Sequence, residues 1–102
     1  MATLLGKFHI ADDAPIYLTP ATVTATAATQ VGSRRLIRIS SDQAVNMLIG
    51  QSTVLAPTAI TGIRIGPNES FEFETADQHT HVRFFNTSAS TANISIAFLS
   101  RV

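Results

Sequence analysis

The chain has 102 residues, 45% hydrophobic and only 14% charged, with seven basic residues balancing seven acidic ones. That length fits one domain with one modest core, and a hydrophobic, uncharged balance excludes a disordered chain. The lack of cysteine removes disulfides and thiolate metal sites. The lack of a basic excess disfavours nucleic acid as a partner, and no apolar run is long enough for a membrane helix.

Alternation with period two runs through most of the sequence, and no helical stripe interrupts it. Leu4 to Ile10 alternates Leu4, Phe8 and Ile10 against Leu5, Lys7 and His9, and reads as one strand. Ala14 to Leu18 reads as a short edge strand, because Pro15 lacks a ladder donor. Ala21 to Thr29 alternates Ala or Val with Thr, which suits a strand better than a helix. Arg35 to Ser40 offers Ile37 and Ile39 to a core, and Ala44 to Gly50 offers Val45, Met47 and Ile49, with a turn-like Ser40-Ser41-Asp42-Gln43 between them. Gln51 to Ala59 contains Pro57 and has no clear period.

Thr61 to Gly66 places Ile63 and Ile65 inward and Arg64 outward, and Glu69 to Thr75 pairs Phe71 and Phe73 on one face against Glu72 and Glu74 on the other. Gly66-Pro67-Asn68-Glu69 is a turn sequence, so these two segments are expected to form a hairpin. Thr80 to Asn86 sets Val82 and Phe84 against His81, Arg83 and Phe85, and Ala92 to Leu99 sets Ile94, Ile96 and Phe98 against Asn93, Ser95 and Ala97. About eight short strands at roughly ten-residue spacing predict a single all-β domain over residues 1–102, an antiparallel jelly-roll-like sandwich.

Candidate chemistry is sparse. His79 and His81 are two apart, so on a strand both imidazoles face one way, as a metal pair would require. Two ligands are too few unless a trimer brings three such pairs to its axis. Cupin enzymes use a similar His-x-His, but the places of their following Glu hold Phe85 and Asn86 here, and no Gly opens the motif. The expectation is therefore no metal, no cofactor and solvated or interface histidines.

Asp12-Asp13 would point to opposite faces of a strand and read as a loop pair. Glu72 and Glu74 share a face, the geometry of an acid/base pair, yet nothing separates them from a hydrated strand surface. Arg34, Arg35 and Arg38 form the one basic cluster, either an acidic-partner contact or a charged edge that resists aggregation; the second is favoured. There is no Gly-x-Ser-x-Gly elbow and no phosphate-cradling Gly-rich loop. No catalytic residue is assigned and an enzyme is not expected. The absence of Trp, with Tyr17 the lone Tyr, weakens a stacking platform for sugars or single strands.

Leu36, Phe85 and Leu99 lie opposite the alternating core sets of their strands, as Leu5 does for its own, and mark a candidate subunit interface. Asn68, Asn86 and Asn93 each open an Asn-x-Ser/Thr triplet, but Met1 to Lys7 lacks the plan of a signal peptide. The expectation is synthesis in a cytoplasm.

The succession of Arg35-Leu36-Ile37-Arg38-Ile39-Ser40, Val45 to Gly50, Gly62-Ile63-Arg64-Ile65-Gly66, Phe71-Glu72-Phe73, His81-Val82-Arg83-Phe84-Phe85-Asn86 and Ala92 to Leu99 resembles small β-sandwich proteins of tailed bacteriophage virions, capsid decoration (cement) proteins above all. The resemblance implies a structural protein on the capsid exterior, self-association with a trimer favoured, and docking across major-capsid-protein subunits that clamps the shell against internal pressure. It carries over no position-specific residue. Another phage module, at the head–tail connection or in a fibre, and a receptor- or glycan-binding β-domain are the alternatives.

Overall fold

A computed structural model of the chain describes residues 14–101 together with the segments 3–4 and 8–10. Its described residues contain ten strands and no helix: β1 (Thr3–Leu4), β2 (Phe8–Ile10), β3 (Ile16–Leu18), β4 (Thr29–Gln30), β5 (Leu36–Ser41), β6 (Val45–Gly50), β7 (Ile63–Ile65), β8 (Ser70–Glu74), β9 (His81–Asn86) and β10 (Ile94–Arg101). One sheet runs β1-β2-β10-β5-β8, with β3 also paired to β10; the other runs β4-β9-β6-β7. All pairings are antiparallel, and they are nested. β3 pairs with β10, β4 with β9, β5 with β8 and β6 with β7. The doubled ribbon then closes on itself through β10–β5 and β9–β6 contacts, which is the jelly-roll arrangement the strand count anticipated.

The core forms where the alternating faces meet. Ile37, Ile39, Ile94, Ile96 and Phe98 from the first sheet face Val45, Met47, Ile65, Val82 and Phe84 from the second, and all are buried. Phe71 and Phe73 flank this core half-buried, with ring centroids 5.3 Å apart. A buried polar side chain ties each end of the sandwich. At one end Asn86, fully buried, donates from Nδ2 to the carbonyls of Pro20 (3.1 Å) and Ser90 (2.7 Å) and accepts at Oδ1 from Ser88 N (2.9 Å) and Oγ (2.7 Å). At the other end Thr75 donates to Gly32 O (2.8 Å) and accepts from Arg35 N (2.9 Å). Each bond satisfies a group whose burial would otherwise carry its desolvation cost.

Three expectations are corrected. The span Leu4 to Ile10 is an antiparallel pair, with Leu4 opposite Phe8, and not one strand. Ala21 to Thr29 becomes regular only at Thr29. Before that it follows β9 irregularly through one bridge, Ala25 to Phe85, with Val23 at a positive φ of 55°. The expected hairpin across Gly66–Glu69 does not form: β7 pairs with β6 and β8 with β5, so the turn crosses between sheets. Asn68, at φ 60°, donates its N–H to Ser41 O (2.8 Å), and Glu69 Oε1 accepts from Gly66 N (2.8 Å), which turns the chain out of one layer into the other.

Candidate functional site

The predicted polar candidates disperse. His79 lies in the turn before β9, its N–H bonded to Ala76 O (3.2 Å), so the shared strand face needed for a His79/His81 metal pair is absent. His81 sits on β9 with Nδ1 against Thr80 Oγ1 at 2.8 Å. No group of three or more His, Asp or Glu side chains gathers among the described residues. Asp12, Asp13 and Leu5 fall outside the described residues.

The arginine cluster is divided among three different contacts. Arg34 donates from Nε and Nη2 to the two Asp77 oxygens (2.7 and 3.1 Å) on an exposed turn, which raises the arginine pKa and lowers that of the aspartate. Arg35 stacks its guanidinium 4.6 Å from the Phe98 ring centroid, closing one end of the core. Arg38 donates from Nε to Glu72 Oε2 (2.6 Å) on the outer face of the first sheet. Glu72, one of the two carboxylates that share this face, is thus engaged by a cation. Asp42, held below the usual carboxylate range by bonds from Asn93 Nδ2 (2.7 Å) and N (2.8 Å), joins the β5–β6 turn to the approach of β10.

The three apolar interface candidates do not form one surface. Leu36 and Leu99 are direct cross-strand partners on the outer face of the first sheet, where Leu99 is buried and Leu36 half-buried. Phe85 lies on the outer face of the second sheet, half-buried, opposite Asn46.

A more prominent surface comes from the stretch without periodicity. Residues 51–62 fold back over the outer face of the second sheet. Asn46 Nδ2 donates to Thr58 O (2.8 Å), Arg83 Nη1 to Val54 O (3.2 Å), and Pro57 is fully buried beneath. Arg83 Nε meanwhile donates to Thr26 O (2.7 Å), so one side chain braces both the loop and the irregular edge segment. Thr58 Oγ1 and Thr61 Oγ1 bond to each other at 2.9 Å and tighten the turn. The loop so held presents Leu55 at 78% and Ile60 at 93% exposure. No charged residue occurs from Ala44 to Ile63. Sequence periodicity missed this element, and the available signal was Pro57 set among aliphatic residues.

Beside the loop a cleft of about 360 Å³ opens where the two sheets part, lined by Met47, Ile49, Ile63 and Phe73 together with Glu74 and His79. At the opposite end a polar depression lies among Ser41, Asp42, Asn68, Glu69 and Asn93.

No family model matches the chain, and no curated protein matches it. Among solved structures, it is similar to the solution structure of a de novo designed double-stranded β-helix, with a TM-score of 0.61 and 18% identity over 84% of this chain and 99% of that one. At that identity the likeness concerns the fold alone, and it agrees with the nested strand order.

Proposed function

We propose that this chain is a structural module that works by docking on other protein subunits, set on the exterior of a virion where it decorates or cements the capsid by bridging major-capsid-protein subunits. The supporting observation is the 51–62 loop. A tightly bonded, uncharged segment displays two large aliphatic side chains, Leu55 and Ile60, almost wholly to water. An ordered loop that leaves such area exposed matches a surface awaiting a partner. Absence of charge keeps the desolvation cost of covering it low. The described residues offer no converging acid, base and nucleophile that would favour catalysis.

Repetition by symmetry then turns a small contact into a large total stabilisation of a shell. The chain self-associates in this reading, a trimer being the favoured form. Co-sedimentation with assembled shells and with free shell subunits tests it, alongside light scattering. The expected result is binding to shells in preference to subunits, abolished by the double substitution Leu55→Asp and Ile60→Asp. A monomer with no affinity for shells overturns the reading.

A further inference from the structure

The geometry points to a binding site for a neutral oligosaccharide on the outer face of the first sheet, with one pyranose ring stacked on Tyr17 and the next hydrogen-bonded in the polar depression around Asp42 and Asn93. This is the sheet that the 51–62 loop does not cover, and the inference is independent of the docking reading.

Register builds one row across the strands. Tyr17 of β3 is opposite Ser95 of β10, Ser95 is opposite Ser40 of β5, and Ser40 is opposite Ser70 of β8. Their chain neighbours Ile16, Leu18, Ile39, Phe71, Ile94 and Ile96 lie in the core or pack against it, so all four row members project outward. Three hydroxyls thus lead from an aromatic ring to the depression, whose lining includes Ser40 and Ser70. Strand spacing puts Tyr17 about 10 Å from Ser40, close to the length of two linked pyranose rings.

Tyr17 is the member that the fold does not explain. It is 72% exposed, and no ring or cation among the described residues stacks on it. The C–H groups on one face of a pyranose are slightly positive and apolar, which suits the negative face of such a ring. With no Trp and no second Tyr in the chain, one stacked sugar is what this face provides, a match to a short oligosaccharide.

The depression, of about 310 Å³, has the size of a small-ligand cleft, ~300–1,000 Å³. Asn93 fixes Asp42 there, donating from N to Oδ1 (2.8 Å) and from Nδ2 to Oδ2 (2.7 Å). A carboxylate has about four acceptor positions, so each Asp42 oxygen keeps one for a sugar hydroxyl. Its orientation needs no further ordering on binding. The exposed side chains of Asn68 and Ser70 make no hydrogen bond within the described residues and supply donors and acceptors beside it. Ser40 and Ser95 share a single bond of 2.7 Å, which leaves one hydroxyl hydrogen over.

Charge selects the class of sugar. The lining holds Asp42 and Glu69 and no Lys, Arg or His, which disfavours sialylated or phosphorylated glycans. Arg38, further along the same face, is engaged with Glu72. A bare cation is served no better. Asp42 is already bonded by Asn93 and Glu69 Oε1 by Gly66 N, and no third His, Asp or Glu gathers with them among the described residues. Calcium asks for about six to eight oxygens. Uncharged hydroxyls, which donate to a carboxylate and accept from an amide, fit both kinds of group.

The test is an array of neutral, amino and sialylated glycans probed with the full chain. The isotope-labelled protein is then titrated into the millimolar range with the free oligosaccharide of the strongest neutral hit, or with maltotriose and cellotriose if the array is blank. Amides of Tyr17, Ser40, Asp42, Asn68 and Asn93 should shift while those of Leu55 and Ile60 stay fixed. Tyr17→Ala should weaken binding roughly tenfold, and Tyr17→Phe should keep it within about twofold, because the ring makes the contact. Asn68→Gly, which suits the positive φ and breaks no side-chain bond within the fold, should weaken binding roughly fivefold. Melting curves confirm that the variants stay folded.

A blank array with no shift from maltotriose or cellotriose overturns the site, as does equal affinity in Tyr17→Ala. Hits restricted to sialylated or amino glycans overturn the assignment to a neutral sugar. Loss of binding in EDTA overturns direct recognition by these side chains. Shell binding, read through Leu55→Asp and Ile60→Asp, can fail without altering any of these results.

Discussion

The two outer faces of this sandwich start from the same alternation and finish differently. On the first sheet the outward side chains bond to one another across strands: Arg38 with Glu72, and Ser40 Oγ with Ser95 Oγ at 2.7 Å. Those four polar side chains are matched within the sheet. On the second sheet the outward side chains Asn46 and Arg83 reach main-chain carbonyls of the overlying loop, and Arg83 also reaches that of Thr26 in the edge segment. That face supports a second layer, and the second layer is what meets solvent. The same residue classes thus produce cross-strand pairs in one sheet and a mounting for a loop in the other. The difference lies in whether a polar side chain finds its partner in the sheet or above it.

Substitutions can break this contrast. The largest effect is expected at Asn86, which anchors the connections flanking the second sheet from within. Asn86→Leu removes four bonds, those to the carbonyls of Pro20 and Ser90 and those from Ser88 N and Oγ; Pro20 O keeps Ala92 N and Ser90 O keeps Ser88 Oγ, so Ser88 N is the donor left stranded, and urea unfolding should show a loss of about 3 kcal/mol, at about 0.5–1.5 kcal/mol for each bond lost.

Next comes Arg83→Met, which keeps the aliphatic stem and removes both braces. A loss of about 2 kcal/mol is expected from charged-donor bonds, with amide exchange accelerating in residues 51–60 and around Thr26 while β5 and β10 stay protected. Uniform acceleration across both sheets would mean that the loop layer is not separately held.

On the first sheet the Arg38–Glu72 pair has side chains 26% and 28% exposed. A double-mutant cycle with Arg38→Met and Glu72→Gln should give a coupling of only about 1 kcal/mol, because partly screened pairs recover little beyond their desolvation.

The smallest effect belongs to acid. Asp77 and Asp42 have lowered folded-state pKa values, through Arg34 and Asn93 respectively. A carboxylate with a depressed folded pKa contributes stability that is fully present above its unfolded value, near 4, and is lost as pH falls through the folded one. Melting temperature should therefore decline below about pH 4, and the decline should be shallower in the double variant Asp42→Asn, Asp77→Asn. Both carboxylates are exposed, so the change is expected to be slight.

Much of this architecture was legible because alternation reports burial directly. The strands carrying Ile37 and Ile39, Val82 and Phe84, and Ile94 to Phe98 lie where their periodicity put them. Alternation does not say which sheet a strand enters. Gly66-Pro67-Asn68-Glu69 has the composition of a hairpin turn, yet Ile65 pairs back with Val45 and Phe71 with Ile39, choices set by partners more than twenty residues away. Nor does spacing guarantee a strand. His79 and His81 are two apart, but the chain is still turning at His79. Residues 51–62 were opaque for the opposite reason, since a loop bonded to side chains beneath it needs no period of its own.

The nested pairing also bears on how the molecule comes into being. β10 is flanked by β5 on one side and by β3 and β2 on the other, and all three precede it in the chain. During synthesis none of those ladders can close until β10 has emerged, and Ile16 must then find Ile96 across nearly the whole polypeptide. Closing such long loops before any reward is collected makes for slow acquisition of structure, on the order of milliseconds to seconds, and leaves Ile37 and Ile39 without their cover on the nascent chain in the meantime.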